Sequence, residues 1–209
     1  MIVFDIETIP NWATLCTVEW EKYKERKKIT DDRDASLHPA FSLVCCICAK
    51  SRETGDTFEM AIENDSRLAE KGMLLEFRNW LHKSRDPWLA GFNVKGFDIP
   101  FLANRFLSQK EIVPSQLSVA GKKPWDIKVV DVMELLQFGS GPKLSLMDAC
   151  LLVGLPSPKK DFSGSMVWDL YREGIPTTTK LSTLLAYCRG DVNQTEQILD
   201  ILEATEASV

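Results

Sequence analysis

The sequence predicts an α/β fold built on a mixed five-stranded sheet, antiparallel over its first three strands and parallel afterwards, flanked by helices. Three observations carry that expectation. The chain opens on Ile2-Val3-Phe4-Asp5-Ile6-Glu7-Thr8, an apolar run that turns into alternation, as a strand does when it starts in a core and ends at a polar surface. Strand-like runs follow at 42–50 and 56–62 around the turn Glu53-Thr54-Gly55-Asp56, a hairpin beside the first strand. Beyond residue 67 helical spacing alternates with short apolar runs, the rhythm of parallel strands joined by helices.

Each element has its own signal. Pro10 stops the first strand. Residues 11–40 are a charged, partly helical excursion. Leu68 to His82 places apolar residues at 68, 74, 77 and 81, a helical face, and Trp88 to Asn93 is a short buried strand. Phe97 to Leu107 returns to helix, and Val129 to Val132 is a further strand. Helices are expected at about 144–153, 163–173 and 180–204, the last with an apolar stripe through Leu184, Leu185, Ile198 and Leu202. This order is the ribonuclease H-like arrangement, and 209 residues suit a single domain over 1–209.

Composition narrows the function classes. With 44% hydrophobic and 26% charged residues, and no apolar run of about eighteen residues, the chain is expected to be soluble and cytoplasmic, with no membrane segment. Acids at positions 5 and 7 do not fit a secretory signal. Six cysteines stand at 16, 45, 46, 48, 150 and 188. Three of them crowd into one strand, where alternating faces separate Cys45 from Cys46, so reduced core thiols are expected rather than a zinc site. A net charge of −5 argues against a broad basic face. Basic clusters remain at Lys22 to Lys28, at Lys122 with Lys123, and at Lys159 with Lys160.

The chemistry concentrates in three segments. Asp5 and Glu7, one residue apart on a strand, share a face within reach of one cation, and a strand that begins Ile-Val-Phe should be central, where unscreened like charges repel. In Asn93-Val94-Lys95-Gly96-Phe97-Asp98 a strand ends and a helix opens; taken alone, Asp98 would be an N-terminal cap. In Tyr187-Cys188-Arg189-Gly190-Asp191, four-residue spacing puts the phenol and the carboxylate on one helical face.

Together these segments resemble the DEDD superfamily of 3′–5′ exonucleases, in the subgroup with tyrosine in the last motif. The nearest likeness is to stand-alone enzymes related to the proofreading domain of family B DNA polymerases. Phe4 to Thr8 resembles the first motif, Asn93 to Asp98 the second and Tyr187 to Asp191 the third. His38 to Phe41, Val130 to Met133, Leu144 to Asp148, Gly154 to Pro156, Asp161 to Tyr171 and Asp191 to Thr195 extend the likeness, which is weakest over 11–37. It implies a site of two Mg²⁺ or Mn²⁺ ions, with Asp5 bridging both, Glu7 and Asp191 completing the first and Asp98 supporting the second. It further implies that Tyr187 orients the attacking water. Thr8, Asn93 and Phe97 are the candidates to hold the strand, and Asp131 is expected to be structural or to support the ligands from behind, without being a ligand itself. Pro156-Ser157-Pro158-Lys159-Lys160 departs from the single lysine usual in relatives, so Lys143, Lys159 and Lys160 are all candidates to contact the scissile phosphate.

The implied activity is hydrolysis from the 3′ end of single-stranded nucleic acid, DNA favoured over RNA, beside a polymerase or helicase on another chain. An exoribonuclease of the same fold differs only in contacts to the 2′ hydroxyl. A non-catalytic binding module would be expected to lack one of the acids, and all are present.

Overall fold

Strand β1 (Ile2–Pro10) lies at the centre of a five-stranded sheet of order β3-β2-β1-β4-β5, completed by β2 (Ser42–Ser51), β3 (Thr57–Ala61), β4 (Leu89–Gly91) and β5 (Val129–Asp131). The structure is a computed structural model that describes residues 1–156, 164–171 and 175–206. β1 pairs antiparallel with β2 and parallel with β4, and β4 pairs parallel with β5. The helices are α1 (Trp12–Leu15), α2 (Val18–Lys27), α3 (Arg67–Ser84), α4 (Asp98–Ser108), α5 (Val132–Leu136), α6 (Leu146–Leu152) and α7 (Thr177–Glu206).

The two faces of β1 have different tasks. Phe4 packs towards Phe77 of α3, ring centroids 6.2 Å apart, and Phe58 of β3 joins them at 5.3 Å from Phe77. That face is apolar. Asp5 and Glu7 point the other way, towards α7, whose Cys188 thiol donates to the Asp5 carbonyl at 3.3 Å. Strand alternation therefore sends the hydrophobes to the core and the acids to the helix that brings the third motif.

A bulge shifts the pairing register beside the acids, and pairing then continues as far as Pro10 opposite Ser42. Glu7 is opposite Cys46, but Thr8 is opposite Val44, so β2 carries an extra residue at Cys45. Bulges twist a strand and re-aim its side chains. The Val44 N–H beyond it donates to Glu70 Oε1 at 2.9 Å. Arg105 of α4 forks onto both oxygens of that carboxylate at 2.7 and 2.6 Å and donates to the Pro39 carbonyl at 2.6 Å. Gln109 adds a bond to Glu70 at 2.6 Å. With both residues almost wholly buried, this network joins β2, α3 and α4 at the site's edge.

The loop into α4 is set by backbone geometry. A Cβ on Gly91 would stand 2.9 Å from the Phe4 carbonyl and 2.8 Å from Val94 Cβ, a close approach that glycine permits. Asn93 adopts a left-handed φ of 57°, which asparagine tolerates. Buried Asp131 accepts the N–H groups of Asn93 and Lys95, each at 2.9 Å, and caps α5 through Met133. Its structural expectation is met in these bonds.

Three expected elements differ. The strand expected over 88–93 spans Leu89–Gly91, because Phe92 and Asn93 already turn. Val132 opens α5 instead of ending β5, because Asp131 supplies the cap. The helix expected over 163–173 is two short 3₁₀ turns, Gly164–Met166 and Trp168–Tyr171, with residues 163, 172 and 173 outside the described residues. Its side chains are drawn apart: Val167 into the core, and the Tyr171 hydroxyl to the Ile62 carbonyl at 2.8 Å. No helix among the described residues is long and apolar enough to cross a membrane.

Arg105→Ala should destabilise the protein by about 3–5 kcal/mol, because it strands the Glu70 carboxylate in the interior. Urea unfolding would measure the loss. A change below about 1 kcal/mol would show that the network does not hold this edge.

Candidate active site

β1 and α7 bring the first and third motifs together. Carboxylate oxygens of Asp5, Glu7 and Asp191 lie within 4.8 Å of one another. Asp98 comes from the second motif, at the first turn of α4. It is not the cap: Phe97 occupies that position without a side-chain bond, and the Asp98 carboxylate accepts the Ile6 N–H at 3.2 Å. The side chain is thus pinned to the strand that carries Asp5 and Glu7, which a capping role would prevent.

The electrostatics are those of like charges crowded together, with Glu7 and Asp98 buried and Asp5 and Asp191 half-buried. Burial pushes the Asp5 carboxyl well above the usual carboxylate range, and Asp98, Glu7 and Asp191 push it further. Glu7 is raised by burial, then by Asp191 and Asp98. Asp98 is raised to about 8, mainly by burial, against the lowering effect of backbone N–H groups. The Tyr187 phenol is raised by burial, Asp191, Glu7 and Asp5 in that order, so it holds its proton at neutral pH.

Such a site fits a divalent cation. Asp5 Oδ2 is buried and, among the described residues, has no hydrogen-bond partner, which is costly unless something else faces it. The donors that converge are carboxylate oxygens, the ligands preferred by magnesium and manganese.

A cleft of about 310 Å³ opens beside Glu7, lined by Thr8, Arg33, Leu37, Phe97, Gly164 and Trp168 among others. Phe97 also packs on Phe101, centroids 5.1 Å apart. Thr8 donates its hydroxyl to the Ser36 carbonyl at 2.8 Å. Asn93 lies outside the cleft lining, taken up by the turn described above. Lys143 is exposed and does not line the cleft, nor do Lys22 to Lys28, Lys122 or Lys123. Lys159 and Lys160 lie outside the described residues.

Sequence reasoning missed the cleft's far wall. Arg33 pairs with Asp169 at 3.0 Å, and Trp12 meets Trp168 at a centroid distance of 6.4 Å, so the 11–40 excursion folds onto the 164–171 segment. Gly164, which opens the later segment, faces Glu7 and Tyr187: a Cβ there would be 3.9 Å from Glu7 Oε2 and 4.0 Å from the Tyr187 hydroxyl. No spacing rule links residues 33 and 169. The one signal in the sequence is the aromatic content of both segments, Trp12, Trp20 and Tyr23 in the first and Trp168 and Tyr171 in the second.

Residues 35–199 match the family described as predicted 3′–5′ exonucleases related to the exonuclease domain of PolB. The chain belongs to that family. The match includes Asp98, Tyr187 and Asp191, while Asp5 and Glu7 lie before it and are joined to the site by the sheet. The fold is similar to the family B DNA polymerase of the hyperthermophilic archaeon Pyrobaculum calidifontis, with a TM-score of 0.66 at 19% identity. That likeness covers 96% of this chain and 24% of the polymerase chain, so this predicted exonuclease spans about a quarter of its structural relative. The ribonuclease H-like sheet is thereby established. Among curated proteins, none matches in sequence.

The raised carboxyl pKa values have a definite sign. A group such as Asp98, whose folded pKa of about 8 exceeds its ordinary 3.8, contributes stability that is fully present below 3.8 and lost as pH rises through about 8. Chelator-treated protein should therefore melt at progressively lower temperature from about pH 5 to pH 8.5, by about 2–4 °C per kcal/mol of repulsion. Asp98→Asn, which keeps the acceptor for Ile6, should flatten that slope, and manganese should raise the wild-type Tm at pH 8. An unchanged slope in the variant would count against the buried-charge account.

Proposed function

We propose that this chain acts as one 3′–5′ exonuclease domain, hydrolysing phosphodiester bonds from the 3′ end of single-stranded DNA with two divalent cations held by Asp5, Glu7, Asp98 and Asp191. The observation that carries the proposal is the convergence of carboxylate oxygens of Asp5, Glu7 and Asp191 within 4.8 Å of one another, with Glu7 lining a cleft. Asp5 would bridge the two cations, Glu7 and Asp191 would complete the first position, and Asp98 would support the second. When bound, such cations activate water and stabilise charge on the phosphate and the leaving oxygen.

The other residues position the substrate. Tyr187, one helical turn before Asp191, keeps its proton and orients the attacking water through a hydrogen bond instead of removing its proton. Phe97 and Trp168 offer aromatic walls for the terminal base, and Thr8 with its backbone faces the same space. DNA is favoured over RNA by the family's relation to the exonuclease domain of PolB. A polymerase or helicase on another chain is the proposed partner class. Six cysteines without a disulfide fit the reducing environment of the cytoplasm.

The test incubates purified protein with 5′-labelled single-stranded DNA, duplex DNA or RNA, with magnesium, manganese or chelator. A ladder shortening from the 3′ end is expected, fastest on single-stranded DNA and abolished by chelator. Asp5→Ala and Asp191→Ala should each lose about 10³-fold or more. Tyr187→Phe should lose about 10–100-fold, as expected for an orienting group. Full activity in chelator or in the aspartate variants would reject the mechanism; cleavage of RNA alone would reassign the substrate and leave the site intact.

Phe97→Ala should raise KM for single-stranded DNA about 5–100-fold, in line with the loss of one base–aromatic stack. Steady-state kinetics would read it, and an unchanged KM would place Phe97 in the core only.

A further inference from the structure

Three cysteines converge directly behind the carboxylates. Cys46 and Cys48 are two residues apart on β2 and share a face with Glu7 and Asp5, opposite which they stand in register. Cys188, the residue after Tyr187 on α7, descends onto the same face, its thiol donating to the Asp5 carbonyl at 3.3 Å. Sulfur atoms of all three lie within 4.8 Å of one another, and each residue is buried.

We infer that Cys46, Cys48 and Cys188 form a binding site for Cu(I), separate from the carboxylate site and independent of the exonuclease reading. The donor set decides the class of ion. Thiolates select soft cations, whereas the neighbouring carboxylates select hard ones, so the two sites sort their ions by chemistry. Structural zinc takes four ligands, and this group offers three, with no histidine or carboxylate among them. Cu(I), a soft ion without a demand for a fourth ligand, fits a ring of three sulfurs.

Size agrees with this assignment. Metal–sulfur bonds of about 2.3 Å place three sulfurs around a trigonal centre about 4 Å apart. The 4.8 Å bound is therefore within a small rotamer adjustment of coordination. Ligation leaves the copper in its oxidation state, and the thiol protons pass to solvent as the sulfurs bind.

A surface pair closes the outer side of the cluster. Glu59 of β3 is the register partner of Cys48, and Arg189, next to Cys188, forks onto Glu59, with Nε 2.6 Å from Oε1. The pair is partly exposed, and its parting is the route by which the ion would enter. The guanidinium also places positive charge beside the thiolates.

The test titrates reduced, anaerobic Cys16→Ser protein, which lacks the exposed thiol, with Cu(I) in competition with bicinchoninate. One Cu(I) per chain should be withheld from the chelator, with three sulfur neighbours in X-ray absorption. Cys46→Ala and Cys188→Ala should each weaken retention at least about 100-fold, and Cys150→Ala should not. No withheld copper, fewer than three sulfurs, or equal retention in Cys188→Ala would overturn the inference and leave three core thiols. Because X-ray absorption uses the intact cluster, it decides the matter even where an alanine variant fails to fold.

Discussion

The structure is organised around one unfavourable act, the crowding of several buried or half-buried carboxylates against one face of the central strand. Asp5 and Glu7 lie on β1, Asp191 meets them from α7, and Asp98 is tied to the same strand through the Ile6 N–H. Burial and mutual repulsion raise the carboxyl pKa values of Asp5, Glu7 and Asp98, and among the described residues Asp5 Oδ2 has no hydrogen-bond partner. A protein core does not hold such a cluster for stability, since apolar residues there would be more favourable. Under the function proposed above, divalent cations and substrate would be the missing counterparts of these acids.

Two supports keep the acids aimed. On one side, the bulge between Glu7 and Thr8 shifts the pairing register, and the Glu70–Arg105 network receives the Val44 N–H beyond it. On the other, Asp131 clamps the backbone of Asn93 and Lys95, so α4 begins where Asp98 meets β1. Both supports are buried polar networks, effective because they are satisfied within the interior. The cleft is then walled by a segment from early in the chain and one from late in it, joined by Arg33–Asp169 and by Trp12 with Trp168.

Much of this was legible in the residues. Alternation placed Asp5 and Glu7 on one face, hydrophobic period located all five strands, and Asp191 fell one turn after Tyr187. Asp98 was misread locally, because a carboxylate at a helix start resembles a cap until the strand that claims it is known. The helix expected over 163–173 failed because Val167 and Tyr171 are held by distant partners, which local propensity does not register. Cys188 gave no sign of meeting Cys46 and Cys48, since helix and strand lie far apart in the chain.

The sequence by itself determined the fold class, the identity of the acids and the helical face that joins Tyr187 to Asp191, because periods of 2 and 3.6 are local properties of the backbone. Only the tertiary structure decided which charges share a site, what shifts them, and which residues wall the cleft. Those depend on approaches between segments up to about 190 residues apart, and such distances are set by packing and sheet register, where spacing along the chain has no bearing.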